Sequence, residues 1–146
     1  MESYLRSREG PDVDLWDTVT AEVLSPLGIN RIAVRRTLEP DGKRGTPLFG
    51  AGLYMTIEEA LKIARLYQDH GSAHGRQLLH RELTARAVSN GMDRGYPNGW
   101  RAVDSDTEGH YELSFWLTPH ENWSDCNLRI PVMAGFGGNY VIIMPN

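Results

Sequence analysis

The sequence predicts an α+β fold, with a single domain over residues 1–146, a mixed or antiparallel split sheet and flanking helices. Three observations support this prediction. A chain of 146 residues has the usual size of one domain. Its apolar residues follow helical spacing in some segments and alternate in others, in the order helix, strand, strand, helix, ambiguous segment and three strands. Finally, 15 glycines and 8 prolines indicate many turns and a substantial strand content.

The composition excludes several classes of protein. Hydrophobic residues make up 40% and charged residues 23% of the chain, which is typical of globular domains and not of disordered ones. The longest apolar runs are far shorter than the roughly 18 residues of a membrane span, and the first residues carry no signal-peptide core. The single cysteine, Cys126, excludes an intramolecular disulfide. We therefore expect a protein without a membrane partner, either cytoplasmic or delivered into the cytoplasm of a target.

The first elements are bounded by caps and helix breakers. Residues 1–11 predict a polar, loosely held lead-in. Asp14 is placed to cap a helix over residues 15–24, whose apolar residues recur at four-residue spacing. We expect Ser25-Pro26 and Gly28 to end that helix.

A short basic strand follows over residues 29–36. Its alternation directs Ile32 and Val34 to one face and a second set to the other, namely Arg31, Ala33 and Arg35. Five cations lie between residues 31 and 44, against two acids: Arg31, Arg35, Arg36, Lys43 and Arg44. This segment therefore predicts anion binding, or else arginines that are solvated or paired. The formal net charge of −4 argues against a general nucleic-acid binder.

The segment after residue 50 predicts a strand that passes directly into a helix. Leu53-Tyr54-Met55 is typical of a short strand. Thr56 and Glu59 form a capping box for a helix over 57–70, which Gly71 ends. The predicted buried stripe of this helix has i, i+3, i+4, i+7 spacing and consists of Ile57, Ala60, Leu61, Ala64 and Tyr67.

The second half predicts mainly strands. Residues 77–88 are ambiguous between helix and strand, and Asn90-Gly91 predicts a turn before a polar loop. Residues 111–117 predict one strand, with two further strands over 128–133 and 140–144. In the first of these strands we expect Tyr111, Leu113, Phe115 and Leu117 on one face, and His110, Glu112, Ser114 and Trp116 on the other, outward face.

The most specific pattern spans residues 50–69. The run Gly50-Ala51-Gly52-Leu53-Tyr54-Met55-Thr56 leads at once into a helix with Ala60, Ala64 and Tyr67. This run resembles the second-strand element of ADP-ribosyltransferase-like domains, in which a strand of this type passes into a helix with alanine and tyrosine. The resemblance implies that Tyr54 stacks on the nicotinamide side of NAD and that Gly52 and Thr56 belong to the same NAD-binding segment.

The same resemblance implies a cation and a carboxylate on other strands. A preceding strand of that family carries an arginine or histidine that meets the nucleotide, and Arg35 or Arg36 lies at that place. A later strand usually carries a glutamate, here Glu112. In NAD-hydrolysing toxins of this fold a polar amide replaces the glutamate, and Asn139 in the glycine-rich tail then holds its place.

These three residue types suit cleavage of the nicotinamide–ribose bond. The reaction builds positive, oxocarbenium-like charge on the ribose, which a carboxylate stabilises. An aromatic ring holds the nicotinamide, and a guanidinium clamps the diphosphate or ribose. The sequence thus predicts an NAD-consuming toxin or effector that hydrolyses NAD or transfers ADP-ribose to a macromolecular target, with NAD as substrate and neither a resident cofactor nor a metal. The expected partners are a protein target or a cognate inhibitor protein rather than nucleic acid.

Two other functions remain open on the sequence. One is a non-enzymatic binding or immunity-type module, for which the acidic run 104–125 would offer a partner surface. The other is a ribonuclease-type toxin that uses His110 or His120 as general acid and base. A zinc site at His70 and His74 is not predicted, because glycines interrupt the helical turn that would bring them together.

Overall fold

The computed structural model describes residues 2–10, 12–50, 52–89, 96–97, 110–119, 129–135 and 139–144. Within these residues short helices alternate with small antiparallel sheets, which confirms the α+β class. The chain forms two compact units, Met1–Lys62 and Ile63–Asn146. The expectation that they belong to one domain stays a prediction. None of the helices in the described part of the chain is both long and apolar enough to cross a membrane.

The first unit begins with two helices. Helix α1 (Glu2–Glu9) occupies most of the stretch predicted as a loosely held lead-in. Helix α2 (Leu15–Val19) begins where the sequence predicts it. The carboxylate of Asp14 accepts hydrogen bonds from the backbone N–H groups of Trp16, at 2.9 Å, and Asp17, at 3.2 Å. These two bonds satisfy donors that have no partner within the helix, so the cap sets its first residue.

The end of this helical segment changes pitch twice. A π-helical turn covers Thr20–Leu24 and a 3-10 turn covers Ser25–Leu27. Pro26 has no N–H to donate, which prevents a regular α-helical bond at this point. Gly28 ends the segment with a φ of 68°, as predicted. The expectation of one uniform helix over 15–24 is wrong. Its predicted start and its stop at Gly28 are confirmed, but the helical segment continues through Ser25 and Pro26 to Leu27.

Four short strands complete the first unit as two antiparallel pairs. Strands β1 (Ala33–Val34) and β4 (Leu53–Tyr54) form one pair, and β2 (Arg36–Leu38) and β3 (Arg44–Pro47) form the other. The predicted strand over 29–36 therefore forms ladder contacts only near its end and is interrupted at Arg35. There the Arg35 N–H donates to the Gly52 carbonyl at 2.7 Å, and its carbonyl accepts from the Leu48 N–H at 2.8 Å.

Helix α3 (Ile57–Gln68) has the predicted capping box. The Thr56 N–H donates to the Glu59 carboxylate at 2.7 Å, and the Glu59 N–H donates to the Thr56 hydroxyl oxygen at 3.2 Å. At the other end the Gly71 N–H bonds the Leu66 carbonyl at 2.7 Å with a φ of 81°. Because this closing bond reaches back five residues, the helix ends two residues before the predicted residue 70.

The apolar stripe of α3 packs differently along its length. Ile57 is 80% exposed and Leu61 is 60% exposed, so the expectation that they are buried is wrong. Further along, Leu66 is fully buried, and Ala64 and Tyr67 pack against the interior of the second unit. The regular spacing of the stripe predicts one face of a helix but not how far along that face a partner extends.

The second unit starts with a small hairpin and a helix. Strands β5 (Ser72–Ala73) and β6 (Arg76–Gln77) pair across a tight turn, and α4 (Arg81–Val88) follows. The ambiguous segment 77–88 thus contains both the end of a strand and a helix. His80 separates them, because its Nδ1 accepts a hydrogen bond from the Leu83 N–H at 3.5 Å and caps α4.

A five-stranded antiparallel sheet forms the rest of the second unit, within the residues described. The bounds of the five strands are β7 Tyr96–Pro97, β8 His110–Glu112, β9 Phe115–Pro119, β10 Arg129–Gly135 and β11 Asn139–Ile142. Their order in the sheet is β11-β10-β9-β8-β7. The predicted strands over 128–133 and 140–144 correspond to β10 and β11. The predicted turn at Asn90-Gly91 lies outside the described residues.

One strand predicted from the sequence is two strands joined by a turn. Leu113 and Ser114 have φ values of 47° and 72°, and Glu112 pairs with Phe115 across them. A two-residue turn with positive φ at both positions reverses the chain into a hairpin. The predicted single strand over 111–117 is therefore wrong, and its assignment of alternate residues to two faces fails beyond Glu112.

The core of the second unit lies between α3, α4 and one face of this sheet. Ala87, Phe115 and Ile143 form its buried centre. Tyr67 packs edge-to-face on Phe115, with ring centroids 5.1 Å apart and an interplanar angle of 73°. Burial raises the pKa of the Tyr67 hydroxyl. Partly buried residues from the helices and outer strands complete the packing: Ala64, Val88, Met133 and Val141.

Candidate functional site

Two of the five cations between residues 31 and 44 are held in a network with Asp14, which caps α2, and Asp17 within α2. The Arg36 guanidinium donates from Nη1 and Nη2 to the two carboxylate oxygens of Asp14, at 2.7 and 3.0 Å, and from Nη1 to the Gly45 carbonyl at 2.8 Å. Arg44 donates to both carboxylate oxygens of Asp17, at 2.6 and 2.9 Å. Because Arg36 holds the carboxylate of Asp14 in its charged form, the pKa of that group falls to about 2.

Of the remaining three cations of this segment, one forms an ion pair and two have no ion-pair partner among the described residues. Lys43 lies 2.7 Å from the carboxylate of Asp41. Arg31 and Arg35 are exposed, and within the described part of the chain neither forms an ion pair. The candidate anion-binding residues of this segment are therefore these two arginines.

Arg31 and Arg35 lie on the same face as Tyr54. Burial alternates from residue 31 to residue 36, with Arg31, Ala33 and Arg35 exposed and the residues between them partly buried. Ala33 is directly opposite Tyr54 in the β1–β4 pair. Directly opposite residues of an antiparallel pair project to the same side, so Tyr54 shares the exposed face. The Tyr54 side chain is 58% exposed, which leaves its ring accessible.

Gly52 allows the close approach of backbone and side chain beneath Arg35. A Cβ atom at Gly52 would lie 2.4 Å from the Leu48 carbonyl oxygen and 3.0 Å from the Arg35 Cβ. The first distance is shorter than a real Cβ atom allows and the second is tighter than most Cβ contacts, so glycine is required here. We call the surface formed by Arg31, Ala33, Arg35 and Tyr54, with the buried Gly52 beneath it, the arginine–tyrosine face. The sequence alone did not separate Arg31 from the other cations, although the predicted alternation already grouped it with Arg35.

Thr56 and Arg36 have structural partners in this structure. The Thr56 hydroxyl takes part in the capping box of α3, as the sequence predicts. Arg36, one of two candidates for nucleotide contact, bonds Asp14 and points away from the arginine–tyrosine face. Arg35 is therefore the arginine of this pair that is available to a ligand.

Glu112 does not lie on an outward, solvated face as expected. It ends β8 directly opposite Phe115, whose side chain is completely buried, and its own side chain is only 12% exposed. Its Oε1 accepts a hydrogen bond from the Arg86 guanidinium of α4. The reason is the hairpin turn after Glu112, which places it opposite a core residue. Its predicted catalytic role stays a prediction.

Asn139 and the candidate histidines have different surroundings. Asn139 begins β11 opposite Gly135, at the closing end of the β10–β11 hairpin, and its side chain is exposed. His110 lies in β8, opposite Leu117, and only its backbone is described. His120 and Cys126 lie outside the described residues.

The structure brings Arg35, Gly52 and Tyr54 together in the first unit, whereas Glu112 and Asn139 belong to the second. In the described ranges no three histidine, cysteine, aspartate or glutamate side chains are grouped as metal ligands would be. Comparisons of the chain with protein-family models, with curated proteins and with solved structures found no match.

Proposed function

We propose that the arginine–tyrosine face binds NAD and that the chain is an NAD-consuming enzyme of the ADP-ribosyltransferase-like type. The observation that carries this proposal is that Arg35 and Tyr54 share one exposed face, with Gly52 beneath Arg35. The resemblance of residues 50–69 is the reason for choosing NAD among nucleotides. The same residues supply a ring, a fork of donors and a close backbone approach.

Each residue of the face has a separate task in binding. The exposed ring of Tyr54 offers a flat apolar surface on which the nicotinamide stacks. The planar guanidinium of Arg35 donates two parallel hydrogen bonds to a phosphate or to ribose oxygens. Gly52 carries no side chain that would push Arg35 away from the strand. NAD would thus be bound by stacking on Tyr54 and by charged hydrogen bonds from Arg35.

The chemical step breaks the bond between the ribose C1′ and the nicotinamide nitrogen. Nicotinamide leaves as a neutral molecule with the bonding electron pair, and a water or an acceptor hydroxyl, amine or carboxylate attacks C1′ and releases its proton if it carries one. Glu112 is the carboxylate that the resemblance implies for this charge, and its ion pair with Arg86 would orient it. This assignment rests on the resemblance, with the amide of Asn139 as the other candidate.

The test is release of nicotinamide from NAD by the purified chain. We expect Arg35→Gln to lower kcat/KM by about 10- to 100-fold, since a hydrogen bond to a charged group contributes about 1.5–3 kcal/mol. Arg76→Gln is the matched control, because it removes one exposed arginine from a hairpin of the other unit. A wild-type chain that releases no nicotinamide above the rate in buffer contradicts the proposal. Cleavage of RNA without NAD would instead favour the ribonuclease.

A further inference from the structure

We infer that Arg31 is a second phosphate-binding residue of the arginine–tyrosine face, which makes this face selective for ligands with two linked phosphates beside a planar ring. The inference rests on the proposed function for the identity of the ligand. Arg31 and Arg35 are four residues apart on one exposed face, or about 13 Å along an extended chain. An arginine side chain reaches from either position to the space above Ala33, midway between them.

The charges of the surrounding residues support this assignment. Arg36, Lys43 and Arg44 are neutralised by neighbouring carboxylates. Arg31 and Arg35 are thus two positive charges on one face. Salt screens their mutual repulsion, with a Debye length of about 8 Å at physiological ionic strength. A ligand with two adjacent negative charges complements them. The net charge of −4 for the whole chain disfavours long polyanions, so a small nucleotide fits better than a nucleic acid.

Ala33 leaves the space that such a ligand needs. It lies directly across from Tyr54, with a Cβ separation of about 4.5–5.5 Å expected for such a pair. The ribose of a nucleotide whose ring stacks on Tyr54 then carries its phosphates above the methyl group of Ala33, between the two arginines. A larger side chain at position 33 would fill this space without disturbing the strand, because the position is exposed and strands tolerate β-branched residues.

Direct binding of ADP and AMP by calorimetry tests the inference. We expect the wild-type chain to bind ADP at least 10-fold more tightly than AMP. Arg31→Gln should remove most of that preference, and Ala33→Val should weaken ADP binding by 10-fold or more with an unchanged thermal melt. The matched control Arg76→Gln should bind as the wild type does. Equal affinity of the wild type for ADP and AMP, or an Arg31→Gln chain that keeps the preference, overturns the inference.

The same variants separate this inference from the proposed function. Preference for ADP that depends on Arg31, in a chain that releases no nicotinamide from NAD, supports the inference and contradicts the proposed enzyme. Turnover of NAD with a KM that is unchanged in Arg31→Gln supports the proposed enzyme and contradicts the inference. The assignment of a small ligand would be overturned by a single-stranded oligonucleotide that displaces ADP and has a higher affinity than ADP.

Discussion

Arg35 and Arg36 are adjacent in the chain but face different partners. The Arg36 guanidinium bonds both carboxylate oxygens of Asp14, whereas Arg35 lies on the exposed side of the strand with Tyr54. Successive residues of an extended chain point to opposite sides, so fixing Arg36 also fixes the side that Arg35 occupies. The ion pair at Asp14 is therefore part of what presents the ligand-binding arginine.

The first prediction is that Asp14→Asn lowers the free energy of unfolding by about 2 kcal/mol at pH 7. Arg36 lowers the pKa of Asp14 from its ordinary value of 3.8 to about 2. A lowered folded-state pKa gives stability that is present above about pH 4 and is lost as the pH falls toward 2. Asparagine caps a helix as well as aspartate does, so the change removes the charge and keeps the cap. Urea titrations at several pH values measure the effect.

The control for this prediction is Asp41→Asn. Asp41 pairs with Lys43 on the surface, and exposed ion pairs contribute little, so we expect no measurable change in the free energy of unfolding. The difference between wild type and Asp14→Asn should shrink toward zero near pH 2. A difference that stays constant from pH 7 to pH 2 would mean that Asp14 acts through packing and not through its charge.

The second prediction compares two glycines of one loop. Gly52→Ala should destabilise the first unit by about 2 kcal/mol or more and weaken NAD binding, because its Cβ would lie 2.4 Å from the Leu48 carbonyl oxygen. Gly50→Ala is the matched control, since a Cβ there meets nothing within 4 Å. We expect it to leave stability unchanged or raised by a few tenths of a kcal/mol. Equal effects of the two changes in a thermal melt would contradict the tight packing at Gly52.

Features set by neighbours in the chain were predictable from the sequence. Asp14 caps α2, Thr56 and Glu59 form a capping box, and Gly28 and Gly71 end their helical segments. Each of these involves groups within five residues, so the required partners are visible in the sequence itself. The same locality explains why the alternation of Arg31, Ala33 and Arg35 was predicted correctly.

Features set by distant partners were not predictable in this way. Arg36 finds its carboxylate 22 residues away, so its spacing in the chain gave no reason to prefer it over Arg35 as a structural residue. The apolar stripe of α3 is exposed at Ile57, because burial of each position depends on tertiary packing and not on spacing along the helix. The turn at Leu113 and Ser114 lacks the asparagine and glycine that favour a turn of this type, and the alternation of apolar and polar residues continues through it as in a straight strand.

The third prediction follows from that unusual turn. Leu113 and Ser114 both have positive φ values, which residues other than glycine, asparagine and aspartate rarely adopt. The double change Leu113→Asn and Ser114→Gly should raise the free energy of unfolding by about 1 kcal/mol, because Asn-Gly favours a turn of this type. A thermal melt measures it. A destabilised double variant would mean that Leu113 makes packing contacts that outweigh the backbone strain.

The fourth prediction concerns the ring of Tyr54. If the ring stacks on the ligand, Tyr54→Ala abolishes NAD turnover and Tyr54→Phe retains much of it. The side chain is 58% exposed, so neither change should lower stability by more than about 0.5 kcal/mol. Nicotinamide release and NAD binding are measured on both. Equal losses of turnover in two well-folded variants would assign the work to the hydroxyl and not to the ring.

The last prediction separates catalysis from structure at Glu112. Glu112→Gln and Arg86→Gln both break the same ion pair, and each should lower the free energy of unfolding by about 1–2 kcal/mol because Arg86 is half exposed. Only Glu112→Gln removes the carboxylate. If that group faces the developing charge on the ribose, turnover at saturating NAD should fall by about 10²- to 10³-fold, with a smaller change in NAD affinity.

Arg86→Gln should keep turnover within about 10-fold, since the carboxylate remains and loses only its orienting partner. Nicotinamide release at saturating NAD, measured beside a thermal melt, distinguishes the two. Equal stability losses with turnover intact in both variants would make Glu112 a structural partner of Arg86. The stabilising group would then be sought at Asn139, where Asn139→Ala should lower turnover without affecting the melt, since its side chain is exposed.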